Sequence, residues 1–183
     1  MKIVSFLLLL ISIVIPQEGD AMEYYLKGEY AKLSKNYEDA IFNFFEATLL
    51  DSNSAIIYYQ LSECYKEIDD IPSAILALKK SLKKSNYSTE IGGRALAFFD
   101  SIGDSIYSRD LLDTLIFYNY DDIDFRYKKV RYSYLDKKYD ILLNEYKEIF
   151  YINPENLEVI PKMVEIGNAL GKENYLKKII IEI

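Results

Sequence analysis

Two short stretches of this chain bring acids close together, Asp69-Asp70 and YDDID at 120–124. Two carboxyl groups held about 5 to 9.5 Å apart across a glycosidic bond can hydrolyse it, one as general acid and the other as nucleophile or base. Little else in the sequence supports chemistry. There is no histidine, which removes the commonest general base and metal ligand near neutral pH. Cys64 is the only cysteine, so neither an intrachain disulfide nor a thiolate metal cluster can form. It reads as a small buried apolar residue. Both acidic clusters lie between apolar-periodic segments, where aspartate is a turn and cap residue. The reading is therefore of a chain without catalytic residues, cofactor or metal, with a carboxylate hydrolase as the lesser alternative.

The elements that position these residues follow one spacing. Ala40 and Ala74 are 34 residues apart, and the same step leads to Ser108, Leu142 and Leu176. Four places on stand Phe44, Leu78, Leu112, Tyr146 and Ile180; seven places on stand Ala47, Ser81, Leu115, Ile149 and Ile183. Three places before stand Tyr37, Ile71, Ser105 and Tyr139, with Glu173 breaking the column. Gly103 and Gly171 keep twice the interval. A fixed period of this length marks stacked structural repeats.

Within each period, apolar residues at three- and four-residue intervals describe two amphipathic helices. In the first they run from Tyr24 to Leu33 and from Tyr37 to Leu50, with Ser34-Lys35-Asn36 between them. DSNS at 51–54 and NPEN at 153–156 supply turn and cap residues between repeats. Pro72 follows Asp70 at a helix start, where its missing N–H costs little. Small side chains at 40 and 47 let two helices cross closely, while Tyr37 and Phe44 fill the space beside them. Repeats of later number lose those small residues, which predicts wider helix pairs there. Gly92 and Gly93, inside a helix, each cost about 1 kcal/mol relative to alanine and read as a tolerated weak start to that helix or as a hinge.

The segment LKGEYAKLSKNYEDAIFNFFEATLLDSN resembles a tetratricopeptide repeat, with Gly28, Ala40 and Ala47 at the family's small positions and Tyr37 and Phe44 at its bulky ones. Leu61-Ser62, Tyr65, Ala74 and Ser81 carry the resemblance into the second repeat; Tyr139, Tyr146 and Pro154 carry it into the fourth, and Leu170-Gly171-Lys172 into the fifth. It implies an all-α fold, a right-handed α-solenoid of antiparallel helix pairs. The organisation expected is a segment at 1–21, then a repeat domain at 22–183 with units near 21–54, 55–88, 89–122, 123–156 and 157–183.

The resemblance further implies a non-catalytic scaffold whose first helices line a concave groove for a protein or peptide. Counting from Ala21, the family's groove positions fall on Tyr25 and Glu29, on Tyr59 and Glu63, and on Tyr127 and Arg131. Tyrosine offers large contact area at low entropic cost. Tyrosines with glutamates one turn on suit a peptide carrying apolar and basic residues. The plainer alternative has the tyrosines packing on neighbouring helices and the glutamates simply solvated. The clamp that binds free carboxylates in one variant of the family has no counterpart here, since tyrosine and glutamate occupy its positions.

A net charge of −7 argues against nucleic acid as a partner. The N-terminal run has Lys2, an apolar stretch from Ile3 to Ile15, Pro16, then Gly19 and Ala21 at the places a signal peptidase reads. About thirteen helical residues span about 20 Å, short of the ~30 Å hydrocarbon core. Export to the periplasm or outside is expected, with no stable membrane span after cleavage and a membrane anchor if the segment is kept. At the other end, YLKKIIIEI lacks a polar cap, and solenoid ends usually need one. That leaves assembly through the end faces, including a homodimer through the C-terminal helix, as the structural alternative to peptide capture.

Overall fold

The computed structural model describes residues 20–172. The apolar N-terminal run and the isoleucine-rich end therefore lie outside the described residues. Nine helices and no strands occur among the described residues. They are α1 (Ala21–Leu33), α2 (Tyr37–Leu50), α3 (Ala55–Glu67), α4 (Ile71–Lys84), α5 (Thr89–Ser101), α6 (Ser105–Tyr118), α7 (Ile123–Leu135), α8 (Tyr139–Ile152) and α9 (Val159–Ala169). The first eight begin alternately at 21, 55, 89 and 123 and at 37, 71, 105 and 139, so each kind recurs every 34 residues. The ninth starts late, at Val159, yet ends at Ala169, in phase with Leu135.

The phase is enforced by the short turns. Lys35, Asp69, Gly103, Lys137 and Gly171 all hold a left-handed φ, between 57° and 75°. At each the chain reverses through the same pair of bonds. The N–H groups of Asn36, Asp70, Asp104, Lys138 and Lys172 donate to the carbonyls of Ala31, Tyr65, Phe99, Ser133 and Gly167, at 2.8–3.0 Å. That six-residue closure is the Schellman ending, which satisfies orphan carbonyls at a helix C-terminus. The residue after the left-handed position then caps the next helix. Asn36, Asp70 and Asp104 accept from the N–H of Asp39, Ser73 and Tyr107. Lys138 has no such acceptor, and α8 begins without a side-chain cap.

The chain forms two compact bodies that divide between Ser85 and Asn86. In the N-terminal body, Ala40, Phe44 and Ala47 on α2 are fully buried with Ile57, Leu61 and Cys64 on α3. Small residues stand where a neighbouring helix comes close. A Cβ on Gly28 would stand 2.7 Å from two Phe44 ring carbons, and the Ser81 hydroxyl donates to the Ala55 carbonyl at 2.7 Å.

In the C-terminal body the core gathers Leu142, Leu143, Ile149 and Phe150 on α8 with Val130, Val159 and Met163. Here Leu142 and Ile149 occupy the columns of Ala40 and Ala47, and the helices of the third and fourth pairs run less closely together than those of the first two. The wider spacing expected from the sequence is thus present. Tyr139 is 43% exposed, whereas Tyr37 packs against its core.

The third pair resolves its bulk by exchange. Leu115 replaces Ala47 and Ser81 in their column, and the small residue moves across the contact to Gly92, where a Cβ would lie 2.4 Å from Leu115 Cδ2. Gly92 is therefore a packing residue. Its neighbour Gly93 is exposed, with nothing within 4 Å of a Cβ. The two adjacent substitutions should have opposite signs. Gly93→Ala should stabilise the fold by about 1 kcal/mol through helix propensity. Gly92→Ala should destabilise it by up to about 2 kcal/mol, because overpacking costs about 1–3 kcal/mol against the same propensity gain. Urea unfolding of the two variants checks both signs.

Candidate partner-binding surface

The first helices α1 and α3 of the N-terminal body carry four of the expected groove residues. Their N-terminal turns meet at a recess of about 200 Å³ lined by Met22 and Tyr25 on one side and Ile56 and Ile57 on the other, with Asp51 and Ser54 between. The Tyr25 ring is half-buried and lies 5.7 Å from Phe44 between centroids, tilted by 54°. It thus packs on its own repeat's core with one edge and lines the recess with the other. Tyr59 is half-buried at the equivalent place on α3.

One turn further along, acidic groups surround the buried thiol of Cys64. Burial pushes that thiol up to about 11; Lys32 opposes the rise, and Glu29, Glu63 and Glu67 reinforce it. The sulfur stays protonated at neutral pH and is shut from solvent, as an inert core cysteine should be. Lys32 donates to Gln60 Oε1 at 2.5 Å, joining α1 to α3. Glu29 Oε1 is buried and meets no donor among the described residues. A carboxylate oxygen shielded from water without a donor costs free energy, so this position favours an incoming N–H or O–H group.

Tyr127 and Arg131 belong to the C-terminal body, whereas the other four lie in the N-terminal one. Both lie on α7 and are exposed. The Tyr127 hydroxyl accepts from Asn156 Nδ2 at 2.8 Å, tying α7 to the turn before α9.

The acidic clusters serve the backbone. Asp70 and Asp122 accept from the N–H of Ser73 and Phe125 as helix caps, and Asp69 fills a left-handed turn position. No group of acidic, cysteine or histidine residues suited to a metal occurs among the described residues. No helix among them is long and apolar enough to cross a membrane.

Sequence reasoning missed a buried charge network between α7 and α8. Arg126 Nη1 lies 3.0 Å from Glu145 Oε2, and both side chains are 4% exposed. Lys129 reaches Glu145 and Asp113, each at 3.0 Å. Arg126 also donates to the Tyr120 carbonyl at 3.0 Å and lies under the Tyr120 ring, 4.5 Å from its centroid. The signal was present in the columns. Tyr24, Tyr58 and Gly92 precede Arg126, and Asn43, Ala77 and Leu111 precede Glu145, so opposite charges enter two uncharged columns in one repeat.

A second hub joins α5, α6 and α7. Asp100 accepts from Ser108, Tyr132 and Lys128 at 3.0, 2.6 and 2.7 Å. Burial alone would raise its carboxyl, but the hydrogen bonds from Lys128, Tyr132 and Ser108 outweigh that and hold it below the ordinary range. Arg109 grips Asp136 through two bonds of 3.0 and 2.9 Å and stacks on the Tyr132 ring.

Solved structures share this chain path. A crystal structure of the MamA protein covers 87% of each chain at 19% identity and a TM-score of 0.54. MamA from Desulfovibrio magneticus RS-1 covers 92% of this chain and 94% of its own, at 13% identity and a TM-score of 0.52. YrrB, described as a TPR protein with an unusual peptide-binding site, covers 87% and 82%, at 14% identity and a TM-score of 0.53. The fold is that of tetratricopeptide-repeat proteins. No protein-family model and no curated protein sequence matches the chain.

Removing one member of the α7–α8 pair should leave a buried charge uncompensated. Glu145→Leu alone should cost about 3–5 kcal/mol, and Arg126→Met with Glu145→Leu should recover most of that loss. Urea denaturation of the single and double variants, followed by circular dichroism, checks the coupling.

Proposed function

We propose that this protein is a non-catalytic interaction scaffold that holds a peptide or protein segment against the open faces of α1 and α3. Glu29 Oε1 carries the reading, because it is buried without a donor one turn along α1 from Tyr25, which walls a recess with Met22 and Ile56. A segment that inserts an apolar side chain into the recess and brings a basic or amide donor to Glu29 satisfies both features. Glu63 and Glu67 add negative charge one turn away. The tetratricopeptide fold, and the peptide-binding site described for YrrB, support a binding role. The signal-like character of residues 1–21 supports a place outside the cytoplasm for it.

A second reading draws on the outer side of α1, where Leu26, Tyr30 and Leu33 are all well exposed. That side suits a second copy stacked end to end. A monomer in sedimentation experiments at micromolar concentration supports the peptide reading, and a concentration-dependent oligomer supports the stacking one.

Tyr25→Ala combined with Tyr59→Ala should abolish retention of envelope partners on the immobilised chain while circular dichroism stays helical. Glu29→Gln should weaken it by about tenfold, the loss of one charge-assisted hydrogen bond. Unchanged partner capture in the folded double variant sinks this reading.

A further inference from the structure

Helix α2 is apolar on two sides. Ala40, Phe44 and Ala47 face the core, while Phe42, Phe45 and Leu49 are 61%, 50% and 64% exposed on the other side. A helix that is apolar all round is ordinarily covered. Phe45 lines a recess of about 180 Å³ with Tyr58, Leu61 and Tyr65 of α3 and with Leu76 and Lys80 of α4. Leu76 is itself 59% exposed. Phe45 belongs to both the strip and the recess, and neither Tyr25 nor Glu29 lines that recess.

The repeat register shows that the fold does not require apolar residues here. The column of Phe42 and Leu76 continues as Asp110 and Asn144, and the column of Phe45 continues as Lys79, Asp113 and Lys147. Polar groups fill these positions elsewhere in the same architecture. The exposed phenylalanines and Leu76 therefore answer to something other than packing of the repeat.

Charge identifies that occupant. The chain carries −7 overall, yet α4 (IPSAILALKKSLKK) holds four lysines and no acid. Lys79, Lys80, Lys83 and Lys84 are all exposed along its last two turns. Lys80 stands at the mouth of the recess, its Nζ 5.4 Å from the Tyr58 ring centroid. Lys84 reaches Asn53 at 2.8 Å. Glu38, Asp39 and Glu46 on α2 set three acids against these four lysines, so the two helices together still carry a net charge of +1. An apolar strip bordered by lysines complements an amphipathic helix whose apolar stripe is flanked by acids.

We infer that the α2–α4 face is a second docking surface, for a partner helix with an apolar stripe bordered by glutamate or aspartate. Its charge preference is opposite to that of the α1–α3 face, so the two can hold different segments at once.

Fluorescence anisotropy of the full chain with two labelled synthetic helices tests it. Both carry the same leucine and phenylalanine stripe; one has glutamate on the flanks and the other lysine. At about 50 mM salt the acidic helix should bind at least tenfold tighter, and its affinity should fall as salt rises. Lys80→Glu with Lys83→Glu should reverse the preference, and Phe45→Ser with Leu76→Ser should abolish binding of both. Tyr25→Ala with Tyr59→Ala should leave it unchanged, which separates this surface from the one proposed above. Equal binding of the two helices overturns the inference. So does failure of both to bind, the outcome if residues 1–19 of the same molecule cover the strip. A dimer that Phe45→Ser with Leu76→Ser converts to monomer also overturns it, because a second copy is then the occupant.

Discussion

The space between paired helices admits a methyl group and little more where α2 crosses its neighbours. Ala40, Ala47 and Ala74 have no exposed surface, and Gly28 touches the Phe44 ring so closely that even a Cβ would collide with it. Close crossing is what allows Phe44 and Leu78 to fill the core from one side only. The helix pairs then stack in a register that neither helix can adopt alone, because one pair buries too little apolar surface to hold itself together. The same steric limit explains why Leu115 is tolerated only where Gly92 stands opposite.

The C-terminal body meets the same architectural demand with different chemistry. Its columns carry Leu142 and Ile149, and the helices stand further apart. Polar networks occupy the added room. Arg126, Lys129 and Glu145 bind α7 to α8, and Asp100 on α5 gathers side chains from α6 and α7. Such networks are fragile in one respect: each member is stabilising only while its partners remain, since a buried charge left alone is costly. Apolar contacts in the N-terminal body degrade more gradually. The N-terminal body thus relies mainly on steric closeness, and the C-terminal body adds charge and hydrogen bonding to the close contact of Gly92 with Leu115.

Much of this was legible in the residues. Period, helix pairing and turn positions all follow from columns 34 apart, because each turn must return the chain to the same place. The helix starts at Tyr37 and Ile71 and the cap role of Asp70 needed only local pattern. Gly92 was misjudged in the sequence as a weak helix start or a hinge, since its reason lies across the contact at Leu115. Arg126 and Glu145 were overlooked because charged residues on helices read as solvated, although both columns are uncharged in the preceding repeats. The orphan oxygen of Glu29 was not readable at all; it depends on the packing of α1 against α3. The exposed strip of Phe42, Phe45 and Leu49 also escaped notice, because apolar residues on an amphipathic helix read as its core face.

The account rests on the steric limit at the helix crossing, and one substitution addresses it directly. Urea unfolding of Ala40→Leu in the full chain, followed by far-ultraviolet circular dichroism, should show a loss of about 1–3 kcal/mol with the native helical signal retained. Stability equal to or above that of the unaltered chain would mean that the crossing has room to spare, and that close contact does not set the spacing of the helices.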